Sequence, residues 1–218
     1  MRTSRKALYW LGLLFALWIG WGAYVTRTTE RVPSETLARF DGIELRRYPQ
    51  SVLVETTAPD AGTAFRRLFR YISGANERRE DVAMTAPVAI RGESESVPMT
   101  APVRTDMDGD GVTMAFFLPS TYGPARAPTP TDPTVSLVVE PPRTVAVRRF
   151  SWYATDDRVD REQDRLREEL ARRGLEARDD PSLLQYNDPW TPPFMRTNEI
   201  EVDLAAVPEQ FHSDHGGW

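Results

Sequence analysis

The sequence predicts an α+β fold, in which two helices pack on one antiparallel sheet or barrel behind an N-terminal apolar helix. An uncharged apolar run opens the chain of 218 residues. Alternating or β-branched segments, typical of strands, then surround two segments with helical periodicity. SVLVETT (51–57) and TVAVRRF (144–150) each follow a proline and each precede one of the helices, which indicates two similar halves.

The N-terminal run extends from Ala7 to Val25 and contains 19 residues without a charge. At about 1.5 Å per residue a helix of this length reaches roughly 28 Å, close to the hydrocarbon thickness of a bilayer. Arg2, Arg5 and Lys6 precede the run and favour a cytoplasmic N-terminus. We therefore predict a single-pass transmembrane anchor in the cell membrane with an extracytoplasmic domain. A cleaved signal peptide is the alternative, disfavoured because the run lacks a good small-x-small cleavage site.

The first half of the domain begins with a hairpin and a strand. TLARFDGIELRRY (36–48) alternates apolar and polar residues around an Asp-Gly dipeptide, and SVLVETT is rich in β-branched residues. A helix over 60–73 follows, with Asp60 as its cap, apolar residues at helical spacing and Gly74 at its end. The next strands are expected at 82–91, 97–105 and 112–118.

The second half repeats this order after a proline-rich loop over 122–133. A charged helix with a narrow apolar stripe opens at Asp156-Asp157 and ends before Gly174. Strands are predicted at 134–140, 143–150, 182–187 and 197–204. The predicted organisation is a cytoplasmic N-terminus (1–6), an anchor (7–25), a linker (26–35), a domain (36–205) and a mobile tail (206–218).

Composition limits the chemistry of this chain. It contains no cysteine, which excludes disulfide scaffolds, thiolate metal sites and cysteine nucleophiles. Its two histidines, His212 and His215, lie in the last seven residues, so we expect no histidine-based triad or metal site inside the fold. Residues 32–218 carry 22 basic and 31 acidic side chains, a net charge of −9, which disfavours nucleic acid as a partner.

A motif of seven residues occurs twice. VAMTAPV (82–88) recurs as VPMTAPV (97–103), 15 residues further on, with six of seven positions identical. Each proline removes a backbone donor and favours an extended residue before it, so we predict edge or bulged strands. Met84 and Met99 occupy the same position of the two copies, and the simplest expectation is that they fill the core.

Together with other segments, the doubled motif makes the chain resemble the SOUL heme-binding protein family. The matching segments are GIELRRYP (42–49), SVLVETT (51–57), AFRRLFRYISGANERRE (64–80), both MTAPV copies, MAFFLP (114–119) and YNDPWTPPFMRTNEIEV (186–202). They follow in order through nearly all of 36–203. The resemblance implies a distorted antiparallel β-barrel with two flanking helices, built as a duplicated half. That fold is similar to the effector-binding domains of some drug-responsive transcription regulators.

The resemblance also implies that heme or another tetrapyrrole binds non-covalently in a hydrophobic cleft beside the first helix of the domain. Apolar side chains would contact the macrocycle, and arginines would pair with the propionates, since guanidinium binds carboxylates bidentately. Because no histidine precedes His212, we expect heme without a histidine axial ligand. The candidate residues for this cleft are Leu68, Phe69, Ile72, Met84, Met99, Arg66 and Arg70.

Other functions stay open on sequence grounds. The same cleft would suit amphipathic organic cations or lipids, and the acidic net charge favours cations. The missing cysteine and internal histidine disfavour hydrolysis of a tetrapyrrole or lipid ester, so we predict no enzymatic activity. An interaction module that uses the helices is a further alternative. The segment from Asp106 to Gly111 resembles half of a calcium loop, but Phe117 stands where a glutamate is required, and a hairpin turn is the better prediction.

Overall fold

A computed structural model describes residues 2–28, 31–77, 94–108 and 111–206 of the chain. These residues include three α-helices and eleven strands. The helices are α1 (Arg2–Thr28), α2 (Ala61–Ile72) and α3 (Asp156–Arg172), and a short 3-10 helix covers Pro193–Met195. The strands are β1 (Glu35–Phe40), β2 (Ile43–Tyr48), β3 (Ser51–Ala58), β4 (Asn76–Glu77), β5 (Val103–Asp108), β6 (Gly111–Phe117), β7 (Thr129–Pro130), β8 (Ser136–Glu140), β9 (Arg143–Phe150), β10 (Ser182–Gln185) and β11 (Asn198–Asp203).

Nine of these strands form one curled antiparallel sheet, in the order β1-β2-β9-β11-β10-β5-β6-β3-β8. The two shortest strands, β4 and β7, pair with each other outside it. The sheet resembles a half-barrel, and α2 and α3 each pack on it. The predicted α+β class, with an antiparallel sheet and two packed helices, is therefore confirmed.

The two similar halves that the sequence indicates are visible in the order of the strands in the sheet. β3 leads into α2 and β9 leads into α3, and the two following strands of each half lie beside them, as β5-β6-β3 and β10-β11-β9. The first strands of the halves are exchanged, because β2 pairs with β9 and β8 pairs with β3. The halves meet where β10 pairs with β5.

Apolar residues lie on both faces of the sheet. On one face, Leu68 and Tyr71 of α2 are buried against β3 and β6, and Leu166 and Leu170 of α3 are buried against the β2-β9-β11 region. The opposite face, which we call the inner face, carries two smaller clusters. Their buried members are Leu53, Ala115, Phe117 and Leu184 in one cluster and Tyr48, Val145 and Val147 in the other.

Most local predictions agree with the structure, and the exception involves the doubled motif. The hairpin forms with Asp41 and Gly42 at φ values of 43° and 78°, as a tight two-residue turn requires. The strand predicted at 97–105 begins only at Val103, since residues 94–100 have no strand partner among the described residues. The strand predicted at 82–91, with the first copy of the motif and Met84, lies outside the described residues, as does most of the predicted tail.

The apolar N-terminal run forms α1, which continues to Thr28 through part of the predicted linker. Within the described residues, no helix is long and apolar enough to cross a membrane, so the predicted transmembrane anchor is not supported. Two residues of α1 contact the domain. Trp18 Nε1 donates a 2.7 Å hydrogen bond to the Trp190 carbonyl, and a Cβ at Gly22 would lie 2.7 Å from Pro192 Cδ.

Candidate functional site

The candidate site is built on α2, whose start is fixed by its cap. Asp60 has an extended backbone, and its Oδ1 accepts a 2.9 Å hydrogen bond from the Thr63 amide, while Oδ2 accepts a 2.7 Å bond from the Thr63 hydroxyl. These hydrogen bonds hold the pKa of Asp60 below its ordinary value. The ionised carboxylate therefore satisfies amides of the first turn and anchors the helix over β3 and β6.

Two of the predicted site residues belong to the core. Leu68 has no exposed surface and Ile72 is also buried, both in the cluster beneath α2. They pack among β-strand residues such as Val54 and Phe116 and offer no surface to a ligand. Their packing holds α2 on the sheet, and their assignment to a heme cleft stays a prediction.

The outer face of α2 carries an aromatic pair. Phe65 and Phe69 stack with ring centroids 5.9 Å apart and an interplanar angle of 16°. Phe65 also meets the buried Phe116 edge to face at 5.4 Å, which anchors the pair to the core. Phe69 remains 48% exposed. Of the two, only Phe69 was assigned to the site from sequence, although the spacing of four residues already placed Phe65 on the same helix face.

The same helix carries three arginines, and two of them are exposed. Arg67 is half-buried, with its guanidinium donating a 2.9 Å hydrogen bond to the Thr57 carbonyl. Arg66 is exposed and donates to the Thr63 hydroxyl at 2.9 Å. Arg70 is exposed and lies 3.6 Å from Asp132. The α2 face thus combines an apolar aromatic surface with cationic groups.

Asp132, the acidic residue beside Arg70 on this face, is held in its ionised form. Hydrogen bonds from the hydroxyl and the amide of Thr134 keep the pKa of Asp132 below its ordinary value. Its charge partly offsets that of Arg70, so a carboxylate ligand would compete with Asp132 for this guanidinium.

A second segment borders the end of α2 and carries Met99. The Asn76 amide group donates to the carbonyls of Tyr71 and Glu95 at 2.7 and 2.8 Å, and its oxygen accepts from the Glu95 amide at 2.9 Å. The Val97 amide donates to the Ile72 carbonyl at 2.8 Å. These bonds fix residues 95–97 against the helix, and Met99 follows them with 41% of its surface exposed. Met84, predicted to lie beside it, falls outside the described residues.

The described side chains offer few ligands to a heme iron. Tyr71 is buried and donates to the Pro128 carbonyl at 2.9 Å, and Tyr186 donates to Glu199 at 2.6 Å. Met114 is buried beneath α2. Across the described residues, no group of three or more His, Cys, Asp or Glu side chains is arranged to hold a metal ion. Compared with these two phenols and the Met114 thioether, the half-exposed Met99 thioether is the most accessible to a ligand.

A small cavity lies near the same core. Its volume is about 330 Å³, and its walls include Val32, Val52, Thr100 and Leu118. The Thr100 hydroxyl is buried and has no hydrogen-bond partner among the described residues. A volume at the low end of the range for ligand pockets suits a small molecule better than a macrocycle. The open aromatic surface of α2 is therefore the better candidate for a large planar ligand.

Comparison with known sequences and structures bears on the family and the fold. The sequence model of the SOUL heme-binding protein family matches residues 29–203. No curated protein matches the chain.

Three solved structures share the fold. The C-terminal domain of EcmrR is 13% identical, with a TM-score of 0.50, over 76% of this chain and 98% of that chain. EcmrR bound to DNA is 12% identical, with a TM-score of 0.53, over 94% of this chain and 72% of that chain. An uncharacterized conserved protein from Listeria innocua is 10% identical, with a TM-score of 0.51, over 77% of this chain and 94% of that chain.

Proposed function

The chain belongs to the SOUL heme-binding protein family, and we propose that it binds heme or a related tetrapyrrole non-covalently on the outer face of α2. The observation that carries this placement is the stacked pair of Phe65 and Phe69, which leaves the Phe69 ring half exposed on a helix that also carries exposed arginines. The role is binding without catalysis, as is general for this family.

The residues of the α2 face fit a large planar ligand with carboxylate groups. Offset stacking of a macrocycle on Phe69 would remove apolar surface from water and add aromatic contact worth about 0.5–1.5 kcal/mol beyond the buried area. Arg66 and Arg70 each follow one phenylalanine of the pair in α2, are exposed, and would receive the propionates. Met99 would border the ligand from the neighbouring segment.

Heme, when bound, supplies the iron, and the protein binds and orients the ring. The histidines of the chain, His212 and His215, lie outside the described residues. We propose that apolar contact and ion pairing, rather than a histidine ligand, provide the affinity. The alternative ligand class predicted for this cleft, amphipathic cations, is less suited to the α2 face because Arg66, Arg67 and Arg70 repel a positive charge.

Absorbance titration of the full chain with hemin tests the proposal. We expect saturable binding with a shifted Soret band. Replacing Phe69 with Asp should weaken this binding at least tenfold, because loss of one buried aromatic contact corresponds to about 1.5–3 kcal/mol.

The matched control is Phe194→Asp, since Phe194 is 45% exposed but lies on the 3-10 helix rather than on α2. Its hemin affinity should equal that of the wild type. If the wild-type chain shows no saturable binding of hemin, the proposal as a whole is wrong. Equal affinity of the Phe69 variant and the wild type would reject the α2 face as the site.

The location predicted from the sequence, an extracytoplasmic domain at a cell membrane, stays a prediction. Protease treatment of intact cells followed by carbonate extraction of their membranes tests both of its parts. Digestion of the domain from outside, with the chain retained in the extracted membrane, is the expected result. Protection from protease would contradict the predicted side, and release into the carbonate wash would contradict membrane attachment.

A further inference from the structure

A short segment of the chain, residues 31–33, crosses the inner face of the sheet, and we call it the strap. Arg31 forms a parallel bridge with Ala101, and the Val32 amide donates a 3.1 Å hydrogen bond to the Ala101 carbonyl. The Val32 side chain packs against both apolar clusters of the inner face. The strap therefore fills the space between the two clusters with its own side chain.

The side chain of Arg31, which precedes Val32 in the strap, lies on an aromatic ring. The guanidinium carbon of Arg31 is 5.2 Å from the ring centre of Tyr186, within the distance of a cation–π contact. The Tyr186 hydroxyl donates a 2.6 Å hydrogen bond to the buried carboxylate of Glu199, which fixes the ring. Arg31 and Val32 thus place a positive charge and an apolar group on the inner face.

The inner face attracts positive charge beyond this single contact. Among the described residues of this face, carboxylates outnumber guanidinium groups. The carboxylates are those of Glu44, Glu55, Asp106, Glu140, Glu199, Glu201 and Asp203, and the guanidinium groups, apart from that of Arg31 in the strap itself, are those of Arg39, Arg46, Arg104, Arg143 and Arg149.

The carboxylate of Glu201 is buried, and only one of its two oxygens is paired among the described residues. Glu201 Oε1 lies 2.6 Å from Arg143, but Oε2 has no hydrogen-bond partner among the described residues. Burial raises the pKa of Glu201 against the attraction of Arg143. A further cationic hydrogen-bond donor near Glu201 would relieve this cost of burial.

Space for a ligand exists at this end of the inner face. A cavity of about 820 Å³ opens at the edge of this face, between Arg143 and Glu201 on one side and residues of α3 such as Val159 and Gln163 on the other. The volume lies within the range of small-molecule pockets. Displacement of the strap would open the smaller cavity of about 330 Å³ that Val32 lines and would uncover the inner-face surface that Arg31 and Val32 now cover.

We propose that the inner face is a second ligand site, specific for an amphipathic organic cation, and that Arg31 and Val32 occupy it in the absence of ligand. The ligand class follows from the occupant: a delocalised cation replaces the guanidinium on Tyr186, and an apolar chain replaces Val32. Because the strap is tethered, it competes at a high effective concentration, and the wild-type chain binds such ligands weakly. This site is separate from the tetrapyrrole site on α2.

Calorimetric titration of the full chain with hexylguanidinium tests the proposal. The variant Arg31→Gln/Val32→Ser removes both strap contacts and should bind hexylguanidinium at least tenfold more tightly than the wild type. Arg27→Gln, which removes an exposed arginine of α1, is the matched control and should bind as the wild type does. Hexylurea has a similar shape without the charge and should not bind either protein. A strap variant with unchanged affinity, or equal binding of hexylurea, would overturn the proposal.

The aromatic ring is tested within the strap variant. Adding Tyr186→Leu should abolish the gain in affinity, whereas Tyr186→Phe keeps the ring and should preserve most of it. Retention of the gain in the leucine variant would place the ligand elsewhere. Hemin affinity of Arg31→Gln/Val32→Ser should equal that of the wild type, so failure at one site does not imply failure at the other.

A measurement on the wild-type chain does not depend on how the variants fold. Hydrogen exchange at the Val32 amide should accelerate as hexylguanidinium is added and reach a plateau, because a bound ligand releases the strap from Ala101. Hexylurea should leave the exchange rate unchanged. A Val32 amide that stays equally protected at saturating hexylguanidinium would contradict the proposed displacement.

Discussion

Arg46 and Glu199 form an ion pair that joins two strands separated by a third. Arg46 Nη1 lies 2.8 Å from Glu199 Oε2 and Nη2 lies 3.0 Å from Oε1, although β9 stands between β2 and β11 in the sheet. The two side chains are only 14% and 3% exposed. The bidentate pair therefore fixes three adjacent strands of the half built on α3.

Removing one partner of this pair should destabilise the domain strongly. Arg46→Met leaves Glu199 buried without its cation, and we expect a loss of about 3–5 kcal/mol in the free energy of unfolding. Urea denaturation followed by circular dichroism measures it. Arg39→Met is the control, because Arg39 is 75% exposed and its pair with Glu44 is worth at most about 1 kcal/mol. Similar losses in both variants would show that the buried pair contributes no more than a surface pair.

Leu68 and Phe69 are neighbours on α2 and should respond in opposite ways. Leu68→Ala creates a cavity in the core and is expected to cost about 2–5 kcal/mol of unfolding free energy. Phe69→Ala removes an exposed ring and should change stability by about 0.5 kcal/mol or less. For hemin affinity the order should reverse. Phe69→Ala should bind hemin more weakly than Leu68→Ala does, measured on Leu68→Ala protein that is folded. A larger stability loss for Phe69 than for Leu68 would contradict the placement of α2.

Glu44 makes stability depend on pH in the acid range. Burial raises its pKa, but hydrogen bonds from Arg46, Arg39 and Thr36 outweigh burial and lower the pKa to about 2, from an ordinary value of 4.5. A folded-state pKa below the unfolded one stabilises the protein fully above about pH 5, and the stabilisation is lost as the pH falls toward 2. The difference in unfolding free energy between wild type and Glu44→Gln should thus be larger at pH 6 than at pH 3.

Glu35→Gln is the control for this titration. Its carboxylate is about half exposed and lies 3.9 Å from Arg47, so its effect on stability should be small at both pH values. Urea denaturation at pH 6 and pH 3 provides the comparison. A Glu44→Gln effect that is equal at the two pH values would mean that the carboxylate is not held ionised by these hydrogen bonds.

Two glycines of α1 allow a matched test of its contact with the domain. A Cβ at Gly22 would lie 2.7 Å from Pro192 Cδ and 3.3 Å from Met195 Sδ, whereas a Cβ at Gly20 meets nothing within 4 Å. Both Gly→Ala changes raise helix propensity equally. We expect Gly22→Ala to reduce hydrogen-exchange protection over residues 189–196, and Gly20→Ala to leave it unchanged. Equal protection in the two variants would mean that α1 does not rest on this loop.

The helices and the hairpin were predictable because their signals are local. Asp60 precedes an apolar pattern with helical spacing, and the acidic pair Asp156-Asp157 lies in the first turn of α3. Asp41-Gly42 forms the turn that the dipeptide indicates. Each signal depends on residues within one helical turn or one hairpin loop, so no distant contact was needed to interpret it.

The placement of the site residues was not predictable in the same way. Phe65 and Phe69, like Leu68 and Ile72, are apolar and four residues apart, so the two pairs form one broad stripe on the helix. Periodicity does not tell which edge of that stripe meets the sheet. β3 and β6 cover the edge with Leu68, and the aromatic edge remains exposed.

The sequence by itself determined the fold class, the two helices, the family and the absence of cysteine and internal histidine. Only the tertiary structure decided which apolar side chains are core and that Trp18 meets Trp190. It also decided that Arg31 lies on Tyr186, 155 positions away. The physical reason is that propensity, capping and turn chemistry act between neighbours in the chain. Burial and charge pairing depend instead on which distant strands the curled sheet brings together.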